Sequence, residues 1–327
     1  MSESKSNSSE IEEYDFIVLG GGGSGLSGAM YAGRLGLKSL VLGHASGSEL
    51  PIGGVITTTD LVENYPGFKS LTGHELAKKL EDHARDYDEV TISSEKAEEV
   101  KKIKKGFSVK TKKRTYHGKT ILVATGTKWK KLPESVKGSE EFENKGVHYC
   151  ALCDGPLYKG KNVGIIGGSD SAAKDALALS QSANHVYIIY RGEEIHPEPI
   201  NGERVKKKGN IEVINNTNVT EIKGDKTVNQ VVLDNEYKGS KTLDLDAVFV
   251  AIGHVVLSDL AKDLGVKTNK KDEVKIDHAT SETNVDGVFA AGDVTDKQFK
   301  QLITGVADAC TAAHSAYEYI TDNYVEV

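Results

Sequence analysis

At 327 residues the chain exceeds the ~100–200 residues of one domain, so two domains, or one interrupted by another, are expected. With 38% hydrophobic residues, 34 glycines and only six prolines, it reads as a Gly-rich globular α/β protein, which excludes a disordered or fibrous chain. The formal net charge of −7 argues against a grip on nucleic acid or an anionic membrane surface, and no apolar run reaches the ~18–20 residues that span a bilayer.

Residues 1–13 (MSESKSNSSEIEE) are polar and Ser-rich and predict a tail outside the folded domain. No charged-then-apolar leader precedes the first strand, and three cysteines make no disulfide framework, so a reducing cytoplasm is the expected location. Residues 16–19 (FIVL) then form a strand that runs into Gly20, Gly21, Gly22, Gly23, Ser24 and Gly25, followed by helix through Leu35 and a second strand at 39–42. Gly20, Gly22 and Gly25 make a GxGxxG between strand and helix. The first glycine permits the turn, the second lets a pyrophosphate approach, the third lets the helix pack, and the helix N-terminus offers N–H groups to the anion. The second strand ends at Gly43 and His44, where an acidic residue would hold a ribose, so ribose recognition is expected to be done otherwise.

The basic runs at 101–105 and 206–208 have no interleaved aromatics and read as solvated faces. Segments 107–111, 115–117, 212–215, 228–234 and 241–244 alternate in polarity and suit small antiparallel additions. Cys150-Ala-Leu-Cys153 can close a small disulfide ring and exchange electron pairs; the alternative is half of a zinc site, whose second ligand pair is missing, because only the distant Cys310 remains. No metal is therefore expected. Asp154 follows the pair and can exchange a proton with a thiolate or cap a helix.

The strand–glycine–helix pattern recurs at 162–166 (NVGII), followed by Gly167, Gly168, Ser169, Asp170 and Ser171, a helix at 174–182 and a strand at 185–190. Ser169 stands where the middle glycine would be, and its Cβ crowds the closest approach of a phosphate. A strand over 285–294 ending in Gly292-Asp293, then a helix over 301–320, complete the chain. The fold class expected is α/β: two Rossmann-like dinucleotide-binding domains with parallel sheets and antiparallel additions, either in tandem or with the second inserted in the first.

The ordered set of motifs resembles the low-molecular-weight thioredoxin reductases. CALCDG at 150–155 after Gly146-Val147-His148-Tyr149 resembles their redox motif, and GGVITTTDLVENYPG at 53–67 their flavin-contacting segment, with Gly54, Thr57 and Asn64 in it. Ala124-Thr125-Gly126 resembles their domain crossover, 251–254 (AIGH) the return crossover, and Gly292 and Asp293 the end of the strand delivered to FAD. Lys300-Gln301 stands where the family has Arg-Gln.

The resemblance implies an FAD domain of about 1–124 and 254–327, a pyridine-nucleotide-like domain of about 127–253, and a homodimer. It implies a cycle in which Cys153 faces the flavin, Cys150 attacks a disulfide on thioredoxin or a similar small redox protein, and Asp154 is the acid–base residue. The inserted domain turns about its crossovers in the family. NADPH-using members read the 2′-phosphate with an HRRxxxR cluster, whereas this chain has YRGEEIH at 190–196; only Arg191 survives, beside two carboxylates. NADPH is therefore disfavoured, and NADH or a donor that does not use this pocket is expected. Rival readings are a flavin-dependent dithiol oxidase or ferredoxin-linked flavoprotein of the same fold, and a non-catalytic FAD redox sensor.

Overall fold

In the computed structural model residues 11–43 and 51–324 are described; His44 lies outside them. The chain opens with β1 (Glu12–Leu19), α1 (Gly23–Arg34), β2 (Ser39–Leu42), α2 (Gly73–Arg85), β3 (Val90–Ser93), β4 (Glu99–Lys102), β5 (Phe107–Lys110) and β6 (Thr115–Val123). After β7 (Thr127–Trp129) come β8 (Val147–His148), α3 (Ala151–Asp154), β9 (Asn162–Ile166), α4 (Asp170–Leu179), β10 (His185–Ile189), α5 (Pro199–Lys207), β11 (Ile211–Ile214), β12 (Val219–Gly224), β13 (Val228–Tyr237), β14 (Ser240–Asp244) and β15 (Ala247–Val250). The chain then returns through β16 (His254–Val256), α6 (Asp259–Asp263), β17 (Val288–Ala290) and α7 (Leu302–Tyr324). Two compact units result, Met1–Lys128 with Val256–Val327, and Trp129–Val255.

In the first unit the sheet runs β3-β2-β1-β6-β5-β4, and β6 is long enough to serve two neighbours on one edge. Its first half pairs antiparallel with β5 from Thr115 to Gly118, and its last residues, Ile121 to Val123, pair parallel with β17. β1 and β2 are buried on both faces, which is why FIVL and SLVL read as unbroken apolar runs. Ile17 and Leu19 face one core with Ile121 and Val123; Phe16 and Val18 face the other, against Ala29 and Ala32 of α1 and Ala309, Ala312, Ala313 and Ala316 of α7. Small residues on both helices let them lie close to the sheet: a Cβ on Gly28 would stand 2.7 Å from the Leu122 side chain. Glycines in a helix interior cost about 1 kcal/mol each relative to alanine, so packing rather than propensity holds α1 helical.

The second unit has an all-parallel sheet, β11-β10-β9-β15-β8, and a separate antiparallel sheet, β12-β13-β14. Ala172, Ala173, Ala176 and Leu179 of α4 and Val205 of α5 pack on Val163, Ile165, Val186 and Ile188; residues of the antiparallel sheet, among them Val219, Val231 and Leu233, cluster with Val248 and Val250.

Three expectations need correction. Glu12 and Glu13 are not tail but part of β1, because Glu12 pairs with Tyr116 in register and its carboxylate holds Arg114 at 2.6 Å. Residues 1–10 lie outside the described residues. Residues 212–214 belong to β11, a parallel strand beside β10 and no antiparallel addition, and 115–117 is only the antiparallel start of the central β6. Strand partners are chosen by tertiary packing, which an alternating pattern of three or four residues does not encode. The side chains of the basic runs at 101–105 and 206–208 lie largely in solvent.

Candidate functional site

In the first unit the C-terminal ends of β1 and β6 and the start of α1 open on a cavity of about 700 Å³, a size that suits a bound cofactor. Gly20, Gly22, Gly23 and Ser24 line it, together with Gly54, Ala124, Thr125, Gly126, Gly292, Asp293, Lys300 and Gln301. Gly20 has φ +115°, and a Cβ there would lie 2.3 Å from the Ala124 carbonyl, so only glycine makes this turn. Gly25 sits behind the cavity wall; its Cβ would stand 2.0 Å from the Gly20 carbonyl, the close helix–turn contact that the third glycine of the motif allows.

Two glycine segments meet face to face, with the Gly53 N–H donating to the Gly21 carbonyl at 2.8 Å and a Gly54 Cβ 2.9 Å from Gly22 Cα. Thr57 donates its hydroxyl to the Gly54 carbonyl, and the Asn64 amide to Gln301 Oε1 at 2.9 Å; these two tie the wall together from outside the lining. Ser24 stacks under Gly292, whose Cβ would be 2.6 Å from its hydroxyl. The Lys300 ammonium is satisfied within the unit, donating to the Asp293 and Thr295 carbonyls at 2.8 Å each and pairing with Glu273 at 2.8 Å. It therefore braces the Gly292-Asp293 segment.

α1 begins at Gly22 with no capping side chain and no acidic residue in its first turn. Its orphan N–H groups and positive dipole end thus face the cavity, the arrangement that holds a pyrophosphate. Together with the glycine cradle, these residues fit FAD. Lys96, Ala97 and Glu98, and Leu257, Asp259 and Leu260, also line the cavity. No motif marks them in the sequence, since they arrive from the entry to β4 and from the start of α6 and the residues just before it.

In the second unit Cys150 and Cys153 are joined in a disulfide. Among the described residues no group of three or more His, Cys, Asp or Glu could hold a metal ion. Cys150 caps α3 and is buried, whereas Cys153, one turn on, is exposed. The Cys153 N–H points to Cys150 Sγ at 3.1 Å, and such a contact favours a thiolate at that sulfur once the bond is reduced. Asp154 Oδ2 stands 3.3 Å from Nδ1 of the buried His148, whose Nε2 lies 2.8 Å from the Tyr158 hydroxyl. Burial pushes the His148 imidazole below its usual range, with Asp154 opposing. His148 sits two residues before Cys150, within the stretch that carries the resemblance, but no pattern assigned it a role.

The second glycine turn, also in this unit, is crossed by its own chain. Gly167 is packed against the Ala251 carbonyl, and a Cβ on Gly168 would stand 2.4 Å from the Tyr190 ring. The His196 N–H donates to the Gly168 carbonyl at 2.8 Å, and Ser169 forms a parallel bridge with His196. Asp170, at the first turn of α4, accepts from the Glu198 N–H and the Asn201 amide, both at 2.8 Å, and pairs with Lys174. Burial raises its pKa, yet the bonds from Asn201, Lys174 and Glu198 hold it below the usual carboxylate range. Ser171, Arg191, Glu193 and Glu194 are exposed.

Residues 14–314 match the pyridine nucleotide-disulphide oxidoreductase family. A 34.2 kDa protein of the rubredoxin operon of Clostridium pasteurianum is 35% identical over 95% of this chain and 98% of its own length. An NADH dehydrogenase of Bacillus subtilis is 34% identical over 95% of this chain, which spans only 60% of that longer protein. Among solved structures, the thioredoxin reductase of T. acidophilum superposes with a TM-score of 0.86 at 38% identity, covering 94% of this chain and 98% of the other.

Proposed function

This chain belongs to the pyridine nucleotide-disulphide oxidoreductase family, with the FAD flavoprotein fold of the thioredoxin reductases and a CxxC disulfide, and from that premise we propose that it reduces the disulfide of thioredoxin or a similar small redox protein. The observation that carries the reading is the Cys150–Cys153 disulfide beside Asp154, in one chain with an uncapped, glycine-walled helix start. Bound in the cavity of the first unit, FAD supplies the electron pair that opens this disulfide. Exposed Cys153 is the sulfur assigned to the flavin, and Cys150 the one that attacks the partner. Attack of the Cys150 thiolate joins it to one partner sulfur and expels the other; Cys153 then attacks Cys150, re-forming the internal disulfide and releasing the reduced partner. Asp154 accepts and returns the proton.

NADPH is not the donor in this reading. Arg191 is the one cation of the YRGEEIH segment, exposed among Glu193 and Glu194, which repel a 2′-phosphate. Ser169 bridges to His196 and the Tyr190 ring packs on Gly168, which narrows the glycine turn for either dinucleotide. NADH, supported by the name of the Bacillus subtilis relative, or a non-nucleotide donor serves instead. A homodimer in the cytoplasm completes the proposal, and no described helix is long and apolar enough to cross a membrane.

The test is Cys150→Ser with thioredoxin as acceptor. Turnover should fall by at least three orders of magnitude while flavin stays bound, since the cavity-lining residues belong to other segments. Retained turnover would remove Cys150 from its role. Colourless protein that cannot take up FAD would end the whole reading.

A further inference from the structure

We propose that His148 is a positioning residue for the thiol chemistry, holding the Asp154 carboxylate in a fixed orientation beside the cysteine pair, with Tyr158 fixing the imidazole tautomer that does so. The inference rests on the acid–base role given above to Asp154, and deepens it.

The geometry is contained in the second unit. His148 lies on β8, and its ring stacks on Phe249 of β15 with centroids 5.5 Å apart, while Tyr158 meets both rings edge-on. The ring is only 5% exposed and cannot turn to solvent. The Tyr158 hydroxyl is 2.8 Å from Nε2. A phenol donates readily to a neutral imidazole, which leaves the ring proton on Nδ1. Nδ1 is buried and has no aligned hydrogen bond, yet it stands 3.3 Å from Asp154 Oδ2. It is a committed donor with one acceptor in reach, and a small rotation of the carboxylate completes the bond.

The charged and titratable groups around the ring are few. Asp154 comes from α3 and Tyr158 from the turn after it; Asp246 acts on Tyr158 rather than on the ring, and Cys150 lies two residues along the chain. β15 contributes only Phe249. A neutral ring beside Asp154 matches the downward shift that burial imposes on His148.

The step balances as follows. The thiol of Cys150 gives its proton to the Asp154 carboxylate. The thiolate then forms a bond to one sulfur of an external disulfide, whose S–S bond breaks, and the expelled thiolate takes the proton from Asp154. A donor on Nδ1 holds the carboxylate in place to receive the thiol proton, so losing it leaves the carboxylate free to turn away from the sulfur.

The test uses the flavin-bound protein, reduced with dithiothreitol and freed of it, reacting with 5,5′-dithiobis(2-nitrobenzoate) between pH 5 and 9, with release of the coloured thiolate as readout. His148→Phe should slow exchange roughly tenfold across the profile. His148→Asn, whose amide can stand where Nδ1 stands, should restore most of the wild-type profile. If His148→Phe does not fold, Tyr158→Phe serves: freeing the tautomer should slow exchange by a smaller factor. Profiles that superimpose on wild type for the folded variants, or an Asn variant no better than Phe, would overturn the inference. The assay needs neither thioredoxin nor an electron donor, so a failure to reduce thioredoxin strikes the proposed function without touching this result.

Discussion

At the residue scale, the glycines of the first turn make the sharpest statements about chemistry. Gly25 is surrounded by backbone, and an added methyl would meet the Gly20 carbonyl at 2.0 Å. Gly25→Ala should therefore push the turn off its geometry, lowering stability by about 1–3 kcal/mol and weakening FAD retention, as read by flavin absorbance after gel filtration. Gly209, with nothing within 4 Å of its would-be Cβ, is the control, and Gly209→Ala should leave flavin content unchanged. Equal flavin loss in both variants would mean that the effect is global unfolding. The glycine and cysteine positions were legible in the sequence because each motif is local: spacing alone carries the chemistry. His148 and Lys96 were not, because a buried imidazole and a cavity wall are made by residues that meet only after folding.

At the element scale, helix ends and buried charges set the balance. α2 starts with a reciprocal cap, in which Thr72 Oγ1 accepts from the Glu75 N–H at 3.1 Å and the Glu75 carboxylate accepts from the Thr72 N–H at 2.8 Å. Thr72→Ala should cost about 1 kcal/mol, visible as a lower midpoint in urea. α4 carries an opposite case in Asp175, whose carboxyl is pushed by burial from an ordinary 3.8 up to about 7. The folded state thus binds a proton more tightly than the unfolded chain does. Its stabilising contribution is complete below pH 4, fades as pH rises toward 7, and is gone above it. Asp175→Asn should raise the melting temperature by several degrees at pH 8 and by little at pH 4; a gain that is independent of pH would contradict this account. β11 shows what element-scale reading misses, since four residues of alternating polarity fit an edge in either direction.

At the scale of the molecule, the chain combines one open nucleotide cradle with one crossed by its own backbone. Anaerobic titration with NADPH should leave the flavin oxidised, whereas NADH or a non-nucleotide reductant should bleach it. Bleaching by stoichiometric NADPH would show that Arg191 and the 192–198 segment do not bar the 2′-phosphate. If one cysteine pair serves both flavin and partner, as proposed, a covalent crosslink between the two units should stop thioredoxin turnover while flavin reduction by the donor continues. Undiminished turnover would mean that no domain motion is needed.

The amino-acid sequence by itself determined the α/β class, the two nucleotide-type units, the glycine turns and the redox pair, because strand–turn–helix units and a CxxC are written in contiguous residues. Only the tertiary structure decided that β6 divides its edge between β5 and β17, that Lys300 is consumed in bracing Gly292-Asp293, and that His148 comes to lie against Asp154. These are contacts between side chains distant in sequence or set by burial. Their selection depends on which groups lose water together, a property of the packed molecule and not of any stretch of it.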